Sequence, residues 1–349
     1  MPLSGAQMRK PFALVTILSA MTLALVGCGT TSVPSQSASP TLASNAAGCA
    51  NDTTKTSTGA VELTDDFGRT VRLDKPAERV AVLEWQQIED VLTLCITPVA
   101  VADAKGYSTW VTAETLPEGV VDVGTRQEPN LDTLVSTQPD LVIVEANAAD
   151  DPIIGQLEKY GIPVLATIGA DAKDPIARML TTFDLIAQAT GREERAEIVT
   201  EEFETHLKEA EAEIAAAEPA ITEFVYLDGW VDGGNVSLRP FGNGSLVGAI
   251  GTRLGLKNAW TGETDPVYGL GTTDIEGMTT IGDATILHTS TTAEAGDTFL
   301  AAAADNPAWK SIPAVKEGRV HSFPKGIWTF GGPRSTKQII DAYVDVITK

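Results

Sequence analysis

From Val61 onward, short β-rich apolar runs alternate with segments whose apolar residues recur at helical spacing. Arg79–Leu83 (RVAVL) reads as a buried strand, and Gln87–Leu94, with Ile88, Val91 and Leu92, as a helix. Val99–Ala102 and Asp140–Glu145 (DLVIVE) predict two more strands, followed by a helix over Pro152–Tyr160 and a strand over Pro163–Ala166. Such alternation predicts an α/β unit with a mainly parallel sheet. The rhythm breaks over residues 174–218, which are helical almost throughout, with Gly191 as the one strong interruption. Ala196, Val199, Phe203, Leu207, Ala210, Ile214 and Ala217 step by three and four along one face, a single apolar stripe. After Pro219 the alternation resumes, with strands at Glu223–Leu227, Thr285–His288 and Arg319–Ser322 and helices at Ser245–Leu254 and Ser335–Ile347. The expected architecture is two mainly parallel-sheet α/β lobes, residues 61–173 and 219–349, joined through a helical segment, 174–218, that contains a spine.

The first sixty residues follow a different logic. Arg9 and Lys10 precede an apolar run ending at Val26, on the short side of the ~20 residues a spanning helix needs. It fits the core of an export signal. Leu25-Val26-Gly27-Cys28 resembles a lipobox, the cleavage and lipidation signal of bacterial lipoproteins. This assigns 1–27 to a signal peptide and makes Cys28 a lipidated anchor on the extracytoplasmic face of the cell membrane; the alternative is an uncleaved anchor with an incidental cysteine. Residues 28–60, rich in Ser, Thr and Ala, bury too little apolar surface to fold alone and read as a flexible leash. With Cys28 modified, Cys49 and Cys95 are candidates for a disulfide after export, against a buried free thiol at Cys95 and an exposed one at Cys49.

Charge narrows the function classes. The chain of 349 residues carries 47 acidic and 25 basic side chains, a net charge of −22. Phosphate repulsion without a compensating basic patch argues against nucleic acid. Residues 174–218 hold 12 acids and 4 bases, about a third of the excess, on what reads as a solvated helical face. Three histidines without close Cys/His spacing argue against a structural zinc site or a histidine-rich metal carrier.

No catalytic constellation assembles either. Gly242-Asn243-Gly244-Ser245 lacks both the Gly-x-Ser-x-Gly elbow and the Lys-Ser/Thr of a phosphate loop, and reads as a turn opening a helix, with phosphate binding as the alternative. His206 falls in the acidic helix, while His288 and His321 end strands without an evident nucleophile or acid partner. Aromatic residues and arginines at loop positions stand out instead. Trp85 follows the first strand, Tyr107 and Trp110 lie after the second, and Arg126 sits in the Gly124–Pro129 turn. Trp230, Arg239, Tyr268, Trp328 and Phe330 fall in turn-rich stretches of the second block. Flat rings cover a large apolar ligand and guanidinium forks meet anionic oxygens. An internal echo, Asn130-Leu131-Asp132 and Asp274-Ile275-Glu276, puts one acid near the start of a short helix in each block, a helix cap or a contact for a shared partner.

In order and spacing, several stretches resemble the iron–siderophore substrate-binding proteins of bacterial ABC importers, of the ferric hydroxamate and ferric citrate branch. They are Asp65–Arg69, Arg79–Trp85, Val101–Asp103 with Tyr107 and Trp110, Asp122–Arg126, Glu128–Leu131, Gly244–Leu246, Asn258–Thr264 and Gly318–Val320. The resemblance implies a class III periplasmic-binding-protein fold with a shallow cleft between lobes that move little, residues 192–217 acting as the spine. It implies a monomer that captures a ferric siderophore and delivers it to a permease, with no catalysis. Iron would arrive already chelated, so neither a cofactor nor a protein metal ligand is expected. Substrate contacts fall on Trp85, Tyr107, Arg126, Arg239, Tyr268, Trp328 and Phe330, and permease docking on Asp132 and Glu276. Asp132 stands in place of the more usual glutamate, and Ala146-Asn147-Ala148-Ala149 in place of a tyrosine after the third strand. Haem or a corrinoid is the alternative cargo; an envelope enzyme or a surface interaction lipoprotein is the alternative class.

Overall fold

The computed structural model describes residues 48–289 and 298–349. Cys28, the signal segment and most of the leash lie outside the described residues. Among the described residues no helix is long and apolar enough to cross a membrane.

The first half opens with a hairpin of β1 (Val61–Thr64) and β2 (Thr70–Leu73). Asp65 holds its turn by accepting from the backbone N–H groups of Phe67 and Arg69. A five-stranded parallel sheet follows, built from β3 (Val80–Val82), β4 (Ala100–Val101), β5 (Val121–Asp122), β6 (Leu141–Glu145) and β7 (Val164–Thr167). Its order is β5-β4-β3-β6-β7, a doubly wound arrangement that reverses direction between β3 and β6. The run Leu141–Val144 is buried on both faces, as expected of a central parallel strand. Helices α1 (Trp85–Thr93), α2 (Ala104–Trp110), α3 (Leu131–Ser136) and α4 (Pro152–Glu158) fill the crossovers. Asn130 and Asp151 cap α3 and α4 by accepting from the backbone N–H groups of Thr133 and Ile153.

Two helices carry the chain onward: α5 (Pro175–Thr190) and α6 (Glu193–Ala217), separated by Gly191 at a positive φ of 68°. α6 has 25 residues, about 37 Å at 1.5 Å per residue. Its stripe is shared: Ala196 and Val199 pack into the core of the first sheet, and Phe203, Leu207, Ala210 and Ile214 into that of the second. Ala217, the last residue expected on the stripe, is exposed.

The second half holds β8 (Glu223–Asp232), β9 (Asn235–Phe241), β10 (Lys257–Asn258), β11 (Thr285–His288) and β12 (Val320–Ser322). The parallel order is β10-β8-β11-β12, with β9 folded back antiparallel on the extended end of β8. That hairpin turns on Gly233 and Gly234, both at positive φ, the geometry a two-residue loop demands. Helices α7 (Leu246–Arg253), α8 (Thr298–Ala303), α9 (Pro307–Ser311), α10 (Pro313–Lys316) and α11 (Pro333–Ile347) complete it. The Gly242–Ser245 cluster is a turn in which Ser245 caps α7.

Two expectations change here. Residues 49–57, assigned by composition to the leash, are strapped to the body. Arg192 bonds to Asp52, Thr54 and Thr56, the backbone of Ser57 and Lys55 to Gly191 O and Glu194, and Cys49 is disulfide-bonded to Cys95. The strap is held by polar bonds and one covalent link, which apolar composition does not register. Secondly, Trp230 and Arg239 lie on β8 and β9 rather than in turns. Pro240 obscures β9, and an edge position tolerates it.

The halves are also latched. Glu89 of α1, fully buried, accepts from the Ser335 N–H at 2.8 Å and from Ser335 Oγ at 2.5 Å at the start of α11. Burial pushes the Glu89 carboxyl up to about 7, and burial together with Glu89 raises that of Asp90.

Two outcomes follow for stability. Replacing Cys49 and Cys95 by serine frees a 46-residue separation in the unfolded chain and should cost about 3–4 kcal/mol in denaturant unfolding. Glu89 binds its proton more tightly folded than unfolded, so stability falls as pH rises from 4.5 through about 7. Thermal unfolding should therefore show a declining Tm across this window, and Glu89→Gln should flatten the decline.

Candidate ligand cleft

A cavity of about 210 Å³ opens between the halves at the carboxyl ends of the first sheet's strands. The first half contributes Glu84, Gln86, Arg126, Glu145 and Gly169. The second contributes Arg239, Tyr268, Leu270, Trp328 and Phe330. Glu84 follows β3 and Glu145 ends β6, so the two carboxylates flank the point where the strand order reverses. Open α/β sheets bind ligands at such crevices.

The aromatic wall starts from the second half but is seated in the first. Trp328 packs against the first half's core, edge-on to Trp85 at 4.8 Å and to Trp110 at 6.3 Å. Phe330 stays with the second core and meets Trp328 at 5.2 Å and Tyr268 at 5.6 Å, both edge-on. Thr112 anchors the same loop by donating from its N–H to Gly326 O.

Each cleft arginine has an internal carboxylate. Arg126 lies over the Trp85 ring, 3.8 Å from its centroid, and pairs with Glu84 at 2.5 Å. Arg239 makes a fork on Asp228, its register partner across the β8–β9 hairpin, at 2.9 and 2.5 Å. Tyr268 Oη donates to Glu145 Oε1 at 2.7 Å, closing the cleft floor across the halves. Burial, with Glu84 nearby, pushes the Glu145 carboxyl up to about 7, and burial with Glu145 raises the Tyr268 phenol. Gly169 permits this packing, because a Cβ there would lie 2.3 Å from the Glu145 carboxyl. Asp265 shapes the loop that presents Tyr268. Burial pulls its carboxyl upward, but backbone N–H groups of Tyr268, Leu270 and Val267 outweigh this and hold it below its usual value.

Of the sequence-predicted contacts, Arg126, Arg239, Tyr268, Trp328 and Phe330 line one cavity. Trp85 is buried beneath Arg126 and Trp328 as their support. Tyr107, expected as a ligand contact, instead lies inside α2, fully buried and donating to Glu114 O at 2.9 Å, away from the residues that line the cavity. Asp132 is exposed in the first turn of α3, and Glu276 is exposed just before the 3-10 turn Gly277–Thr280. Sequence reasoning passed over Glu84, Glu145, Asp228 and Asp265. The runs VAVLE and LVIVE each end on a glutamate at a strand's carboxyl end, a signal that was available.

Residues 80–326 match the family described as Periplasmic binding protein. The chain belongs to the periplasmic binding protein family. Among family relatives, the iron(3+)-hydroxamate-binding protein FhuD of Escherichia coli is 28% identical over 267 residues, covering 75% of this chain and 84% of FhuD. The Fe(3+)-citrate-binding protein YfmC of Bacillus subtilis is 28% identical over 298 residues, covering 83% and 89%. The crystal structure of the Fe3+–Desferal-bound siderophore binding protein FhuD from Vibrio cholerae superposes with a TM-score of 0.65 at 22% identity, covering 78% of this chain and 98% of that one. This periplasmic binding protein therefore has the expected fold, two α/β halves on a helical spine.

Disrupting the floor has a readable consequence. Gly169→Ala should push Glu145 away from Tyr268 and lower the unfolding free energy by about 1–3 kcal/mol through overpacking, measured by denaturant unfolding; an unchanged stability would show the floor to be pliant.

Proposed function

We propose that this chain captures a ferric siderophore outside the cytoplasm and delivers it to the permease of an ABC importer for iron uptake. The observation that carries the reading is one open cleft lined by the aromatic wall of Tyr268, Trp328 and Phe330 together with Arg239 from the second half and Arg126 from the first. A chelate's organic shell is apolar with oxygen-rich edges, and rings with forked donors suit it. Family membership and the named activities of FhuD and YfmC support it further. Lobes 61–173 and 219–349 enclose the ligand about the helical segment 174–218. Iron travels inside its chelator, so the cleft grips the organic shell, no side chain ligates the metal, no cofactor is needed and no bond is made or broken. Arg126 Nε and Trp328 Nε1 are buried without a hydrogen-bond partner among the described residues, so a ligand oxygen reaches them only if these side chains shift. Lipidated Cys28 tethers a monomer to the membrane, and Asp132 and Glu276 dock the two lobes onto the permease.

Tryptophan fluorescence tests the reading, since Trp85 and Trp328 sit at the cleft. A ferric siderophore should quench it at sub-micromolar concentration, and the iron-free chelator should not. Phe330→Ala should weaken binding by about tenfold through lost apolar contact. Silence towards ferric hydroxamates, citrate and catecholates would defeat the siderophore reading, and a response to haem or a corrinoid alone would reassign the cargo. Replacing Asp132 and Glu276 together by alanine should abolish cellular uptake while leaving ligand affinity intact.

A further inference from the structure

The charges of the cleft are arranged in a way that bears on which chelates it admits. Both lining guanidiniums are neutralised inside the protein, Arg126 by Glu84 and Arg239 by Asp228. Arg178, which borders the adjoining recess, is likewise paired with Asp66 at 2.8 Å. Among the described residues Glu145 remains in excess, with no ion pair to a base of its own. The groups facing it are Tyr268, which donates to Oε1, the Glu84 carboxylate and the Arg126 guanidinium that Glu84 already holds. One bond from Tyr268 leaves a carboxylate further acceptor capacity. A polyanionic ligand would meet arginines whose charge Glu84 and Asp228 already balance, and Glu145 as a like charge.

Resting on the siderophore reading, we propose that Glu145 is a specificity-determining residue that makes the cleft select ferric chelates of zero or positive net charge, accepting a hydrogen bond from an ammonium or amide N–H of the ligand, and disfavour polyanionic ferric chelates. The net charge of −22 on the whole chain acts in the same direction at long range. Protonation of Glu145 on acidification removes the excess charge, so the preference weakens as pH falls below about 7.

The test holds the iron centre constant and varies the charge with ferrioxamine B bearing its free ammonium, its N-acetyl derivative and its N-succinyl derivative, and adds ferric dicitrate as a polyanionic chelate of a different centre. Fluorescence titration at low salt and mildly alkaline pH should rank the ammonium form tightest and the succinyl form weakest, by about tenfold. Glu145→Gln should compress that ratio to near unity and abolish its pH dependence, with thermal unfolding confirming that the variant folds. Glu84→Gln is an independent check: it keeps the α1 cap, frees Arg126 and should improve binding of the succinyl form. Equal or tighter binding of the anionic forms by the native protein, or an unchanged ratio in Glu145→Gln, overturns the proposal. Binding of ferric dicitrate alone also overturns it while leaving the transport reading standing, whereas failure of every ferric chelate defeats the transport reading itself.

Discussion

One apolar stripe buried in two cores governs the architecture. α6 commits Ala196 and Val199 to the first sheet and Phe203 to Ile214 to the second, and a rigid helix cannot serve both unless the halves keep a fixed separation. Hinge opening would expose part of the stripe or bend the helix, at roughly 25 cal/mol for each Å² returned to water. Trp328 reinforces the constraint by crossing from the second half into the first core, and Glu89 adds a buried polar latch at the start of α11. The cleft is therefore a consequence of spacing: it is what remains between two sheets held apart by one helix and pinned by one loop.

Within that gap the electrostatics are local. The large acidic excess lies mostly on solvated surfaces, including the outer face of the spine, where water and salt screen it. In the cleft, charges occur as close pairs, Arg126 with Glu84 and Arg239 with Asp228. These pairs position the guanidinium groups, and Arg126 lies over the Trp85 ring beside its contact with Glu84. Tyr268 reaches from the other half to Glu145 at the end of β6, so the floor of the cleft is closed by a bond between the halves.

Much of the fold was legible because its signals are local. Buried parallel strands need continuous apolar runs, and the runs at Val80, Leu141, Phe224 and Thr285 became strands. The spine needed only the three–four spacing of its stripe. Elements without such signals do not show in the pattern: α2 is short with only Tyr107 buried, and β9 carries a proline. At the strap over residues 49–57 the pairing of Cys49 with Cys95 is an expectation of the sequence, whereas the hydrogen bonds to Arg192 that hold the rest do not show in hydropathy.

The site divides along the same line. The residue types, aromatic and arginine, and the placing of several at strand ends are local properties of the chain. Which of them converge depends on how the two halves pack. Tyr107 turned inward because α2 presents it to the core, while Trp328 became a wall of the cleft through contacts with Trp85 and Trp110, more than 200 positions earlier in the chain. The carboxylates that set the cleft's charge, Glu84, Glu145 and Asp228, looked like ordinary strand-end acids in a chain rich in acids. Their significance depends on partners brought near by folding, because a charge acts over a few ångströms in space and sequence spacing does not measure that distance.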